Sequence, residues 1–410
     1  MASSFDSLST LCERLKERSF DRTPAIVCNA HITGCSVARS LAAHDVPVIA
    51  LDRNGDGVAP PADAVVAAGE VTFPLDDLDG FREDIERVSS SLGHDPVVFP
   101  CMDEWVHALA ETEPDGVRLP FAPQDVIDAV LDKESLYALA EELEVPYPET
   151  YRLAETDPLE AAASLEYPFV VKPARKREFE ELLGTNVVEV ADEEAFLEVV
   201  QRARAANVRI MAQEKVPIAT GDDRSFASYV SPDGGTIGVV GNARVRYPQA
   251  YGTSCVVDTV TDPELEDRAR SVLEASGYYG ISEAEFVYDM DREEYVLLDV
   301  NTRPWKWISM PVEAGVNLPF AAYADAVGES YAPEASREAR WVYLRDYLSL
   351  LASDPSANDV LERAEWRSLL SGAFETTRGL TTGVYRPSDP GPTLQLLETE
   401  FGGPEYYCSC

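Results

Sequence analysis

Lysine is nearly missing from this chain of 410 residues. Six occur (Lys16, Lys133, Lys172, Lys176, Lys215 and Lys306); the rest of the 34 basic residues are arginine, set against 73 acids. The formal charge is −39 and the sequence pI near 4.3. A surface so anionic repels phosphate backbones and acidic headgroups, which argues against nucleic-acid and membrane partners. The acids are spread along the chain rather than gathered in a tail. Diffuse acid with scarce lysine is the composition expected of a cytoplasmic protein from a salt-rich cell. It also makes each remaining lysine worth placing.

Other absences narrow the class further. The seven cysteines (Cys12, Cys28, Cys35, Cys101, Cys255, Cys408 and Cys410) form no Cys-x-x-Cys pair, so metal-ligand spacing is lacking. An odd thiol count in a chain of this size fits a reducing compartment, and Cys408-Ser-Cys410 reads as a frayed tail. The start, Met1-Ala-Ser-Ser-Phe-Asp, has no charged segment before an apolar core, so no signal peptide is expected. No apolar run reaches the length of roughly 20 residues that spans a bilayer. Internal repeats and low-complexity linkers are missing too. A soluble, intracellular chain is the expectation.

With 45% hydrophobic residues there is ample apolar material, and the length calls for two or three domains. An amphipathic helix is expected from about Ser7 to Arg18. Strands follow at Pro24–Cys28, Pro47–Leu51, Val65–Ala68 and Val97–Pro100, with a turn at Asn29–Gly34 and helices over Ser36–His44 and Cys101–Ala110. Strand, small-residue turn, helix and parallel strand make a βαβ unit, hence a doubly wound α/β domain over residues 1–120. Asp52, after the second strand, could hold a ribose, but the turn lacks the glycine spacing of a dinucleotide site, so NAD binding is not favoured.

A second unit starts near Pro123 with two helices split at Lys133. Tyr167–Pro173 reads as a strand with Lys172 among apolar neighbours, a placement that calls for a partner anion. The polar loop Arg175–Thr185, a returning strand Asn186–Val190, a helix Glu193–Ala206 and a strand Val208–Gln213 lead into Glu214-Lys215-Val216-Pro217. Strands are expected at Arg224–Val230, Gly235–Gly241 and Asn242–Arg246, the last placing Arg244 and Arg246 on one face. A loop at Gly252–Ser254 and a helix Pro263–Ser276 come next, and the stretch after about residue 330 reads as helical, with no readable chemistry.

The chemistry gathers at Leu297-Leu298-Asp299-Val300-Asn301-Thr302-Arg303-Pro304. Alternation puts Asp299 and Asn301 on one face of a strand. If Ala284–Asp289 pairs with it through the turn Asp291-Arg292-Glu293, Glu285 falls opposite Asp299. Two carboxylates and an amide oxygen are hard ligands suited to Mg²⁺. Arg303 follows as a rigid cation for phosphate or carboxylate.

The order of these features resembles the ATP-grasp superfamily over roughly Pro24 to Gly328. It runs from a lysine before a small α+β unit, through a lysine on a strand and a Gln-Glu-Lys-Val-Pro hinge, to acid…acid-x-Asn. The branch it is most similar to is that of carboxylate–amine ligases, whose Arg-x-Arg-x-x-Pro element is matched by Arg244-Val-Arg246-Tyr-Pro-Gln with proline one place early. The resemblance implies an N-terminal doubly wound α/β domain followed by a two-lobed ATP-grasp fold of mixed α/β and α+β type. The lobes would be residues 121–215 and 216–330, with a helical extension over 331–410. It further implies that Lys133 and Lys172 hold the ATP phosphates, Glu214 the adenine amino group, Lys215 and Val216 the ring, and Asp222 or Asp223 the ribose. Glu285, Asp299 and Asn301 would hold Mg²⁺, or Mn²⁺ in its place. Arg303, Arg244 and Arg246 would steady the transferred phosphate and the substrate carboxylate. The family's phosphate loop is usually rich in glycine, whereas Arg175–Thr185 has only Gly184.

The implied reaction activates a carboxylate as an acyl phosphate for attack by an amine. Its partners are small-molecule carboxylate and amine substrates, and a homodimer is compatible with it. Two other readings stay open: a carboxylase of the same fold using bicarbonate, and a nucleotide-binding protein without catalysis.

Overall fold

The computed structural model describes residues 5–402 apart from 176–178, 180–181, 186 and 250–251. Three sheets organise the chain. The first is wholly parallel, in the order β1-β4-β3-β2-β5, from β1 (Phe5–Asp6), β2 (Ala25–Cys28), β3 (Val48–Asp52), β4 (Val65–Glu70) and β5 (Val97–Pro100). Helices α1 (Leu8–Lys16), α2 (Ile32–Ala42), α3 (Leu78–Ser90) and α4 (Asp103–Thr112) connect and cover it. Every residue of β2, β3 and β5 is buried, which is why these strands read as unbroken apolar runs rather than alternating ones. Strand β1, two residues long, carries no such signal and was not expected.

The turn after β2 is tighter than its composition suggests. Asn29 takes a positive φ of 66°, a conformation asparagine tolerates, and α2 begins at Ile32 inside the expected turn. Gly34 therefore lies in the first turn of a helix, where a Cβ would meet the Asn29 carbonyl oxygen at 2.5 Å. The glycine permits close helix–strand packing. Asp52, weighed above as a ribose ligand, is wholly buried and accepts from the Ala30 N–H at 2.7 Å and the Arg53 N–H at 2.8 Å. Its oxygens hold this turn together.

Helices α5 (Gln124–Leu131) and α6 (Lys133–Glu142) lead to the second sheet, split by Asp132. The Asp132 carboxylate caps α6 by accepting from the N–H groups of Glu134 and Ser135 at 3.1 and 3.2 Å. That sheet is antiparallel, ordered β6-β9-β7-β8 from β6 (Thr150–Arg152), β7 (Phe169–Pro173), β8 (Val188–Val190) and β9 (Ile210–Gln213). It has its own core, with Phe169, Phe179 and Phe196 fully buried under the helices Pro158–Ser164 and Glu193–Ala205.

The third and largest sheet runs β14-β13-β10-β11-β12-β15-β16. Its strands are β10 (Ile218–Val230), β11 (Thr236–Tyr247), β12 (Thr253–Val260), β13 (Gly280–Asp289), β14 (Glu294–Asn301), β15 (Arg340–Val342) and β16 (Leu380–Thr382). Three expectations are corrected here. The segments Gly235–Gly241 and Asn242–Arg246 are one strand, β11. The stretch from Thr253, read as a loop, is strand β12. The C-terminal stretch is not purely helical: β15 and β16 add an edge to the sheet, alongside helices such as Leu344–Ser353. Strands of three residues are too short for a period of two to show, and their apolar members, Trp341, Val342 and Leu380, are recognised only by burial. Lys306 belongs to this junction. Its ammonium is buried against the Asp346 carboxylate at 2.5 Å and the Thr253 hydroxyl at 2.9 Å, tying the C-terminal stretch to the loop after β14. Among the described residues no helix is long and apolar enough to cross a membrane. The five described cysteines are buried free thiols, while Cys408 and Cys410 lie outside the described residues.

Candidate active site

Strands β13 and β14 pair as the sequence suggests, by a different route. The connection is Met290–Glu293, and the inner pairs run Asp289↔Glu294 to Phe286↔Leu297. A bulge at Leu298 then shifts the register so that Glu285 opposes Asp299 and Glu283 opposes Asn301. The bulge is held from outside the sheet, where the Tyr137 hydroxyl donates to the Leu298 carbonyl at 3.0 Å. Asn301 sits among the acids, its amide donating to Glu285 Oε1 at 2.7 Å and to Glu283 Oε2 at 3.0 Å. Glu283 was not anticipated. Burial first, and Glu285 second, push its carboxyl well above the usual range.

Lys133 and Tyr137 lie one turn apart on α6 and reach the hairpin together. Lys133 Nζ meets Asp299 Oδ2 at 2.5 Å; burial works against its charge, yet Asp299 carries its pKa upward. Lys172, on β7 of the second sheet, faces the same group of acids. No hydrogen bond or ion pair to its ammonium is found among the described residues. Burial, then Lys133, pulls its pKa down to about 8, against the pull of Asp299 and Glu285. Two cations and three carboxylates thus face one another between two sheets.

The donor set suits a hard divalent cation: paired carboxylates, a third within reach and an amide whose oxygen can replace its nitrogen by a half-turn. Among the described residues no three acid, imidazole or thiol groups are yet arranged round a cation position. Lys133 and the Asn301 amide engage the acids instead.

The segment Glu214–Pro217 crosses from β9 to β10, from one sheet to the next. Glu214 Oε1 accepts from the Glu149 N–H at 2.6 Å and lies 2.6 Å from Arg292, and among the described residues no partner of its second oxygen is found. Lys215 pairs with Glu189 at 2.8 Å, and Val216 is half-buried. Asp223 accepts from Arg246 Nε at 2.6 Å, whereas Asp222 acts on Tyr295 further out. Arg246 also donates to the Gly252 carbonyl at 3.2 Å and feels the charge of Glu285 and Glu283.

Arg244 is the correction in this group. Register shifts at Ala243/Val245 and Val245/Arg246 break the alternation that would have joined it to Arg246. Its side chain is 54% exposed and its nearest acid, Asp258 at 4.0 Å, is already clamped by Arg340. Arg303 is buried and turned to the parallel-sheet domain, with Nε donating to Asp103 Oδ1 at 2.5 Å and Nη2 to Oδ2 at 3.3 Å. Of the Arg175–Thr185 loop, Lys176 and Arg177 lie outside the described residues, and Arg175 sits 3.7 Å from Asp128 and 3.8 Å from Asp132. Signals for two missed residues were available. Glu283 precedes Glu285 by one strand period, and Tyr137 follows Lys133 by one helical turn. Asp103 stands 200 residues from Arg303, and nothing local points to it.

No protein-family model matches the chain. Among curated proteins it is similar to a D-aspartate ligase of Enterococcus faecium (strain Aus0004), 24% identical over 213 residues. That match takes in 48% of this chain and 50% of the ligase, so it spans about half of the relative's length. Among solved structures it is similar to the N5-carboxyaminoimidazole synthetase of Staphylococcus aureus, with TM-score 0.64 and 14% identity over 83% of this chain and 88% of that one. A second likeness is to the biotin carboxylase domain of the Hydrogenobacter thermophilus 2-oxoglutarate carboxylase, in complex with MgADP, ADP and bicarbonate. Its TM-score is 0.60, with 15% identity over 77% of this chain and 72% of that domain. The fold is the ATP-grasp fold: a parallel α/β domain followed by a larger mixed-sheet region.

Proposed function

We propose that this chain is an ATP- and Mg²⁺-dependent ligase that activates a substrate carboxylate as an acyl phosphate for attack by an amine. The observation that carries the reading is Lys172: a half-buried ammonium on one sheet, without a partner among the described residues, facing the acids of another. A cation drawn partly out of water in that state calls for an anion, and the likeness in fold supports a nucleotide as its source. The relative's name supports an amino-acid carboxylate as the substrate. The division proposed is residues 1–120, a first lobe 121–215, a second lobe 216–330 and a C-terminal extension.

In this reading Lys133 and Lys172 hold the phosphates, and Glu214, Lys215 and Val216 receive the adenine. Asp222 or Asp223 takes the ribose, the first of them being the less encumbered. Glu285, Asp299 and Asn301 hold Mg²⁺, with Glu283 in reach. Once bound, the ion neutralises phosphate charge as the phosphoryl group moves. A carboxylate oxygen attacks the γ-phosphorus and the bond to the bridging oxygen of ADP breaks. The amine then adds to the acyl carbon, phosphate leaves, and the nitrogen gives up a proton. The chain's own work is to align donor and acceptor and to offset negative charge with Lys133, Lys172, Arg246 and Arg303. Arg244 has the weakest claim to a role.

The test is ADP release by the purified chain with ATP, Mg²⁺, a panel of amino-acid carboxylates beginning with D-aspartate, and hydroxylamine as the trapping amine. Carboxylate-dependent ADP together with hydroxamate is expected. Nucleotide binding with no ADP release from any pair would make the chain a binding protein. Bicarbonate as the carboxylate is a second reading, supported by the carboxylase among the solved structures, and the mass of the product separates the two. The net charge of −39 supports a protein adapted to concentrated salt, for which the melting temperature should climb between dilute buffer and molar KCl. A melting temperature indifferent to salt would remove that part.

A further inference from the structure

We infer that Asp103, in the first turn of α4, is a positioning residue for Arg303: it holds the guanidinium so that the rest of the fork faces the substrate carboxylate. The inference rests on the ligase reading and adds to it a contribution from the parallel-sheet domain. Arg303 is 8% exposed and follows Asn301 by two residues, beyond the end of β14. Its Nε and Nη2 donate to the two oxygens of Asp103, and its Nη1 donates to the Pro304 carbonyl at 3.1 Å. A guanidinium has five N–H groups, so three are accounted for by described partners and two are left on the outer nitrogens.

The surroundings make a tether necessary. Glu283, opposite Asn301, is close enough to act on the charge of Arg303, as is Glu104. An arginine beside so many acids would otherwise turn toward the hairpin and pair with the groups proposed for the metal. Asp103 pulls it the other way, from a rigid helix start where an acid is itself favoured by the helix dipole. A carboxylate pairing both nitrogens of one guanidinium edge fixes its plane as well as its position. With the Asp103 side chain 34% exposed, the pair adds little to stability. A purely architectural role therefore explains the geometry poorly.

The test uses the full chain as wild type, Asp103→Asn and Asp103→Glu in the hydroxylamine assay, with the best carboxylate of the panel. Asp103→Asn should raise KM for the carboxylate about tenfold or more while kcat and the calorimetric affinity for MgADP stay within about twofold. Asp103→Glu should recover part of the loss. An unchanged KM overturns the inference, and so does a parallel fall in MgADP affinity and melting temperature, which marks an architectural pair. If the wild type forms no hydroxamate with any carboxylate, the ligase reading fails by itself. The tether is then decided by the Nε–H resonance of Arg303, identified by its loss in Arg303→Lys. It should be sharp and slow to exchange in the wild type and broadened in Asp103→Asn; an identical signal in both overturns the inference.

Discussion

Asp52 and Glu283 are both buried carboxylates on strands, and burial raises the pKa of each. Their surroundings differ in one respect. Around Asp52 the protein supplies donors: two backbone N–H groups at 2.7 and 2.8 Å, with His31 Nε2 3.7 Å away. Around Glu283 it supplies a second acid, Glu285, with the Asn301 amide divided between the two, and Ser225 and Arg246 offset the charge only in part. The first arrangement closes a turn and is complete. The second crowds Glu283, Glu285 and Asp299 round one amide and the Lys133 ammonium, with Lys172 opposite and no ion pair to it among the described residues. Stability is given up locally where a ligand can restore it, a pattern expected of functional sites.

The two sites should fail differently. The largest effect is expected at the open one: Glu285→Gln should cut turnover about 100-fold or more while leaving the melting temperature unharmed. A lower melting temperature with turnover preserved would reverse the assignment. At the closed site, Asp52→Ala leaves the Ala30 and Arg53 N–H groups without an acceptor and should cost about 1–3 kcal/mol for each that stays dry. Turnover per folded molecule should not change, which urea titration and active-site counting together check.

Lys172→Ala should weaken ATP about tenfold, or about 1.4 kcal/mol, in a folded protein. Its pKa of about 8 gives the pH dependence its sign. Above that pH the free protein loses the proton that phosphate requires, so ATP affinity should fall as pH rises through 8, and should stay flat in Lys172→Arg. In the same window the unfolded chain binds the proton that the folded chain has lost. The fold itself therefore gains stability from pH 8 toward the ordinary lysine value. The smallest effect is at Glu283→Gln, which removes a carboxyl whose ionisation burial opposes. The melting temperature should rise by about 2 °C, read by calorimetry without nucleotide.

Much of the site could be read from the residues because its parts obey local periods. Asp299, Asn301 and Glu285 follow strand alternation, and Lys133 stands at a helix start marked by Asp132. What could not be read depended on breaks in those periods or on distance. The bulge at Leu298 changes the register by one place, and the irregularity at Ala243–Arg246 separates two arginines that alternation would join. Strands β15 and β16 are too short to announce themselves. The Asp103–Arg303 pair and the burial of Lys306 against Asp346 exist only once distant segments meet.

Joint action of Glu285, Asp299 and Asn301 on one metal ion in an ATP-consuming reaction is the core of the proposed function. ADP production across a Mg²⁺ titration for the wild type, Glu285→Gln, Asp299→Asn and the double variant decides it. Each single variant should collapse turnover and raise the Mg²⁺ requirement, with the double hardly worse than either. Mild, additive losses at an unchanged Mg²⁺ requirement would contradict it and leave the hairpin an acidic surface.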